Sequence, residues 1–309
     1  MEHGQHAFHS DLRLFLSALI GLAASGLDRV VTARVQYRTG PPLAQPFRDL
    51  VKLRHKETLI PDGAAPAVFL GAPLVGLAGV TVAGSILWSA IFLPGDGDLG
   101  DLIVVLYLLT LPSLAIMLGG FASANPLASL GGAREMKLLL ACELPFLIAL
   151  LVPVIHAGYE IRLGAILSAQ AEGGAVAVHL SGALALVVGV LWMQAKLGLV
   201  PFDLAEAETE IGGGALIDYG GPPLAVYRLS HAMLLAVAPL FLMALFLGGA
   251  PPTLVGFAGG LVKFAAIIAL STVIRNTNPR LRIDQALRLF WGPITALAVA
   301  AVLLALGGW

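Results

Sequence analysis

Eight runs of about 20 predominantly apolar residues decide what this chain can fold into, at roughly 12–31, 66–93, 101–120, 136–157, 177–200, 223–248, 252–275 and 286–307. A bilayer offers no water to unpaired backbone groups, so runs of this length cross it as helices. Only 12% of the 309 residues are charged, against roughly 25% in soluble domains. The fold expected is an all-α polytopic membrane protein of about eight transmembrane helices, one transmembrane domain over 1–309. No internal repeat is evident, which withholds support from an inverted-repeat transporter.

Basic residues orient the bundle. The loops 32–65, 121–135, 201–222 and 276–285, with adjoining helix ends, hold Arg29, Arg34, Arg38, Arg48, Lys52, Arg54, Lys56, Arg134, Lys137, Arg275, Arg280, Arg282 and Arg288. The other side holds Arg13 and Arg162. This asymmetry predicts that the four loops are cytoplasmic and both termini outside. A net charge of −1 excludes a broad basic surface for nucleic acid. The single cysteine, Cys142, cannot form an internal disulfide or hold an iron–sulfur cluster alone, since a cluster needs about four thiolates. Met1–Ser10 lacks a positive region and does not resemble a cleaved signal. His3, His6 and His9 recur there, but a flexible exterior terminus argues against a metal site, and none is assigned.

Between the first two spans, residues 42–57 form a candidate interfacial helix. Phe47, Leu50, Val51 and Leu53 can line one face, with Arg48, Asp49, Lys52, Arg54 and Lys56 on the remainder. A plain surface helix is the alternative.

The acids are concentrated in one place. Asp203, Glu206, Glu208, Glu210 and Asp218 fall in a loop without Lys or Arg, placed on the cytoplasmic side by connectivity and against its own charge. If 203–210 is helical, Asp203, Glu206 and Glu210 share a face. Carboxylates held so close cannot all ionise easily, which suits a proton relay; a solvated loop that binds basic partner residues is the alternative, and the two roles can coexist. Glu143, mid-span before Pro145, is costly as an unpaired carboxylate and is taken as a relay carboxylate protonated at rest, with a structural hydrogen bond as the alternative. Lys196 is expected to snorkel. Arg228, beside His231, is a plausible partner for Asp218 or Glu210, and Lys263 requires a carboxylate or carbonyl partner, as relay member or structural pair. Glu135, at the expected start of its span, is taken as a helix-start charge.

Four segments together resemble one family: Arg38-Thr-Gly-Pro-Pro with Gln45-Pro-Phe-Arg-Asp-Leu-Val-Lys-Leu53, Glu143, Pro201-Phe-Asp-Leu-Ala-Glu-Ala-Glu208, and Arg280-Leu-Arg-Ile-Asp-Gln285. The chain resembles, from about residue 12 to 307, the subunit 1 family of respiratory NADH dehydrogenase (complex I). Relatives include membrane subunits of formate hydrogenlyase and of other energy-converting nickel–iron hydrogenases. The compact first loop, and Ala205 where the complex I branch has proline, look more like the hydrogenase branch. Arg228 and His231 depart from the complex I branch, which often carries an acid there.

The resemblance implies a subunit of an ion-translocating oxidoreductase in a bacterial or archaeal cytoplasmic (inner) membrane, at the junction of soluble and membrane arms and not catalytic alone. A proton (or sodium) relay is then expected to draw on Glu143, Asp203, Glu206, Glu208, Glu210, Asp218 and Lys263, and docking or interfacial contacts on Arg38, Gln45, Arg48, Asp49, Lys52, Asp62, Arg280, Arg282 and Asp284. No cofactor is expected on this chain; the nickel–iron centre and iron–sulfur clusters belong to soluble large and small hydrogenase subunits, alongside antiporter-like membrane subunits and the lipid bilayer. The alternatives are the quinone-site subunit of NADH:quinone oxidoreductase, in which the Asp62 region frames a quinone cavity, a passive anchor, and a stand-alone ion or solute transporter.

Overall fold

A computed structural model describes residues 2–92, 100–206, 208–250 and 253–309, with side chains from Phe15 onward except those of 208 and 209. The helices are α1 (Glu2–Val35), α2 (Gln45–Arg54), α3 (Pro66–Phe92), α4 (Leu102–Ala122), α5 (Pro126–Ala149), α6 (Leu151–His156), α7 (Leu163–Gly173), α8 (Leu180–Lys196), α9 (Glu208–Ile211), α10 (Gly221–Phe246), α11 (Leu254–Thr277), α12 (Ile283–Leu289) and α13 (Thr295–Leu306). Among the described residues, seven spans are long and apolar enough to cross a membrane, and α8 is a shorter apolar helix beside them. Its 17 residues reach about 26 Å at 1.5 Å per residue, so the fifth span is shorter than the run 177–200 suggested. Helix α1 begins at Glu2, which puts His3, His6 and His9 on a helix rather than on a flexible end.

The fourth span begins ten residues earlier than its apolar run. Asn125 caps α5, its side-chain oxygen accepting from Leu127 N at 2.9 Å, and Pro126 occupies the first turn, where its missing N–H costs nothing. The Asn-Pro pair is therefore the start signal that hydrophobicity alone overlooked. Pro153 cannot donate to the Ala149 carbonyl, and α5 breaks at Leu150 before continuing as α6. The last span holds a π-helical turn at Phe290–Ile294 around Pro293, where the Thr295 hydroxyl donates to Phe290 O at 2.6 Å.

Helix α10 lies at the centre. Apolar on all sides, it has 89% of its spanning stretch buried, whereas α11 has 22%. Stacked Phe146 and Trp192 (ring centroids 4.0 Å apart) bind α5 to α8, and Phe241 of α10 meets Phe146 edge-on. At one end of the bundle the loops knit together through Ala65 N to Ala122 O (2.9 Å), Leu281 N to Pro201 O (3.0 Å) and Asn125 Nδ2 to Asp218 Oδ1 (3.1 Å). This is the basic, acid-looped face. At the opposite face Gln170 serves as a staple, donating to Ala244 O and accepting from Val176 N and Gly248 N.

Helix α2 forms where expected and packs on α1 and α10, with Pro46 and Leu53 buried and Phe47 and Leu50 half-buried. Val51 departs from the expected apolar face: it points outward, because the packed side is set by Pro46 and Leu53.

Helix α1 approaches α10 through Gly21, where an added Cβ would stand 2.1 Å from Ala232 O. Gly21→Ala is expected to force the two helices apart and destabilise the chain by about 1–3 kcal/mol. Thermal unfolding in detergent measures this; an unchanged midpoint would show that the α1–α10 approach is not constrained.

Candidate functional site

The acidic loop is not a helix. Pro201 to Glu206 forms turns and bends, and α9 spans only Glu208–Ile211. Gly212, Gly213 and Gly214 all take positive φ, which glycine adopts without Cβ strain, and the chain reverses so that Ala215 N donates to Ala205 O at 3.2 Å. Asp203, Glu206 and Glu210 therefore do not share a helical face. Phe202, fully buried against Phe290, anchors the loop's apolar side.

The acids are held instead by basic residues from other elements. Asp203 is ion-paired with Arg280, and Glu210 with Arg134 at 2.6 Å. A hollow of about 410 Å³ is lined by Arg134, Glu210 and Arg280 from these pairs, with Leu204, Arg282, Ile283 and Asp284. Arg280, Arg282 and Asp284, singled out for docking, thus share one recess with Glu210. The partners proposed for Arg228 are occupied, since Asp218 Oδ1 accepts from Asn125 and Glu210 takes Arg134. Asp218 Oδ2 is buried without a hydrogen bond among the described residues. The Glu208 side chain lies outside the described residues.

Deeper in, Glu143 has a partner. Lys196 Nζ lies 2.5 Å from Glu143 Oε1, with the lysine side chain 1% exposed and the glutamate 16%. Lys196 does not snorkel: α8 ends at this residue and its side chain turns inward, the ammonium 5.8 Å from the Trp192 ring centroid. Neither contacting atom makes an aligned hydrogen bond among the described residues, so the contact is charge against charge. Glu135 is no helix-start charge. It lies nine residues past Pro126, is 6% exposed, and accepts from the Ser113 hydroxyl of α4, with Lys196 and Glu206 within electrostatic reach. Glu206, Glu135, Lys196 and Glu143 together lead from the acidic loop into the bundle.

A second polar cluster fastens α1, α2 and α11. Asp28 is ion-paired with Arg275 and accepts from the Thr272 hydroxyl at 3.0 Å, and Arg29 pairs with Asp49 at 3.1 Å. Gln45 donates to Asp49 at 2.8 Å within α2, which orients the carboxylate towards Arg29. Burial raises the Asp49 pKa, but hydrogen bonds from Gln45 and Arg29 and the charges of Arg29 and Arg228 outweigh it, holding the carboxyl below its usual range. Arg228 acts here rather than on the acidic loop. Arg38 contacts Gln36, while Arg48, Lys52 and Asp62 are exposed. Tyr219 donates to Phe69 O at 2.9 Å; burial raises its hydroxyl pKa to about 12, against a lowering hydrogen bond with Tyr227. Lys263 finds carbonyl partners, Leu247 O at 2.6 Å and Gly249 O at 3.2 Å, which separates it from the carboxylates. Among the described residues, no group of three or more His, Cys, Asp or Glu could hold a metal ion.

Residues 11–306 match the family model described as NADH dehydrogenase. The chain belongs to this family. It is similar to an NADH-quinone oxidoreductase subunit of Syntrophotalea carbinolica, 32% identical over 94% of this chain and 93% of the relative. It is also similar to the corresponding NADH-quinone oxidoreductase subunit of Bacillus cereus (strain B4264), 30% identical over 94% and 90%. Among solved structures it resembles a chain of the membrane-bound sulfane sulfur reductase, an archaeal respiratory membrane complex, with a TM-score of 0.86 and 30% identity over 96% of this chain and 98% of that one. The chain is a multi-pass membrane subunit of this complex I-like type.

Two predictions follow from the charges of this NADH dehydrogenase family member. Removing one partner of a buried ion pair strands the other, so Glu143→Gln and Lys196→Met alone should each destabilise the fold by about 3–5 kcal/mol. The double variant should recover most of that loss; additive losses in a double-mutant cycle would show that the pair is not coupled. Asp49, its pKa lowered by folding, contributes stability that is present above the ordinary carboxylate pKa of about 3.9 and lost as pH falls through the lower folded value. Amide exchange in α2, followed from pH 7 downward, should therefore quicken in acid beyond the intrinsic rate, and Asp49→Asn should already show that protection loss at neutral pH.

Proposed function

We propose that this chain anchors the soluble redox arm of a complex I-like assembly at the acidic loop. From there it couples the arm's charge changes to proton (or sodium) movement through Glu206, Glu135, Lys196 and Glu143. The observation that carries this reading is the buried Lys196–Glu143 pair, with Glu135 on the side leading to the loop. A lysine between two glutamates makes proton occupancy sensitive to any added charge, because each protonation changes the field at the others. When the arm gains negative charge beside Glu206, uptake of a proton on Glu135 becomes more favourable. The Lys196 ammonium then interacts less with Glu135 and more with Glu143, which passes the bias inward. Asp203–Arg280 and Glu210–Arg134, around the 410 Å³ recess, give the arm paired charges of both signs to engage. Asp218, with an oxygen left unbonded, is a second point of proton entrance; Glu208 adjoins the loop, and Lys263 serves the outer end of α10 through its carbonyls.

We assign the assembly to the nickel–iron hydrogenase or formate hydrogenlyase type, supported by the compact first loop and by Ala205. The metal centres then reside in the soluble large and small subunits, and antiporter-like subunits adjoin in the cytoplasmic membrane with this chain's termini outside. A second reading, the quinone-site subunit of an NADH:quinone oxidoreductase, is favoured by the names of the curated relatives.

In energised membrane vesicles, Glu135→Gln and Glu143→Gln should leave redox turnover measurable while lowering ion translocation per electron on the order of tenfold or more. Translocation that stays fully coupled in both variants would identify a passive anchor. Mass spectrometry of the assembly purified in mild detergent tests the branch: nickel–iron large-subunit partners uphold the assignment, and NADH-oxidising partners replace it with the second reading.

A further inference from the structure

On the face opposite the acidic loop, two imidazoles from separate helices meet. His156 ends α6 and His179 precedes α8; their rings stack with centroids 4.8 Å apart and planes 23° apart. Both line a hollow of about 80 Å³ with Pro153, Ile166, Gln170 and Val176. We propose that His156 and His179 form a binding site for a divalent transition-metal ion of the Zn²⁺ or Cu²⁺ class.

The hydrogen bonds around His156 decide which nitrogen is available. The Ser181 hydroxyl donates its one proton to Trp309 O at 2.6 Å. Its 3.2 Å contact with His156 Nε2 therefore requires the imidazole to donate, so Nε2 carries the hydrogen. That leaves Nδ1 with a free lone pair. A ring N–H fixed by a second residue, with the other nitrogen open, is the usual state of a metal-binding histidine. His179 is exposed, and neither of its ring nitrogens is hydrogen-bonded among the described residues.

Stacked rings direct their lone pairs side by side, so one ring must turn for both to reach a common ion at about 2.0–2.1 Å. The exposed ring of His179 is free to do so. A water molecule needs roughly 10–15 Å³ of such space, so the hollow accommodates an ion together with waters that complete its coordination. Two neutral imidazoles select Cu²⁺, Zn²⁺ or Ni²⁺ over Mg²⁺ and Ca²⁺, which prefer oxygen ligands.

The position gives the site a consequence. Helix α6 continues α5, which carries Glu143, and α8 ends at Lys196. An ion joining His156 to His179 ties the outer ends of the two helices that hold the buried pair. Restraint of their movement is expected to slow ion translocation. This consequence rests on the relay proposed above; the binding does not.

The test uses the assembly purified through a tag without histidine, with His3, His6 and His9 replaced by Ala so that the N-terminus cannot bind metal. Cu²⁺ is titrated, and copper retained after gel filtration is quantified beside its paramagnetic resonance spectrum. The parent should retain one more Cu²⁺ per chain than His156→Gln/His179→Gln, with nitrogen splitting that the double variant lacks. His179→Gln alone, an exposed change that spares the fold, should weaken binding about tenfold or more, and Ser181→Ala should weaken it with both imidazoles present. Equal retention and identical spectra in parent, His179→Gln and the double variant would overturn the site. Zn²⁺ inhibition of translocation in the parent but not in His179→Gln supports the consequence. Binding as expected without inhibition upholds the site and removes the coupling.

Discussion

The ion pair of Lys196 and Glu143 is the interaction on which the rest of this structure turns. Two charges withdrawn from water cost several kcal/mol each, and their attraction offsets that cost only if the geometry is held. The bundle provides that hold. Phe146 and Trp192, three and four residues from Glu143 and Lys196, stack to join α5 to α8, and Phe241 of the buried α10 closes the third side. Gln194, two residues before the end of α8, bonds to Ser271 of α11 and to the Val200 carbonyl, which fixes the chain just as it leaves for the acidic loop. The position of Lys196 is thus tied to the loop's own anchorage.

A buried group that senses charge at the acidic loop must be joined to it by protein rather than by water. The effect of a charge falls steeply with distance through water but far less through low-dielectric protein. Glu135 suits this requirement. It is buried on a helix that starts at the acidic loop's side, within reach of exposed Glu206 and of buried Lys196. The hydroxyl of Ser113 steadies it without neutralising it.

Spans, the interfacial helix and the distribution of basic charge were legible from sequence because each is local: an apolar run, an amphipathic period, a loop composition. The errors lie where a side chain's fate depends on a distant partner. Lys196 was expected in the headgroups because its neighbours in sequence are near a span end, but Glu143, 53 residues away, draws it inward. Clustered acids suggested mutual repulsion on one helix, yet Arg134 and Arg280 come in from α5 and the last loop to separate them. Glu135 is the instructive exception, because the Asn125-Pro126 start signal was present in the sequence and would have placed it well inside α5.

The same dependence on distant partners explains why the acidic loop could keep so many carboxylates. An isolated acidic segment beside a membrane would repel itself outward. Here its apolar residues, Phe202 and Leu204, are buried, and Leu281 N bonds to Pro201 O, so the loop is pinned to the start of the last span. Pinning brings Arg280 to Asp203, while the three-glycine reversal lets Ala215 return to Ala205 and carry the chain towards Asp218. Of the loop's acids, Asp203 and Glu210 are paired with arginine, and Asp218 is held through one oxygen by Asn125 while its other oxygen is buried without a hydrogen bond among the described residues. The arginine pairs present charges of both signs around the recess, whereas Asp218 Oδ2 leaves one buried acceptor open. One backbone thus gives its carboxylates different environments, each set by the distant residue that reaches it.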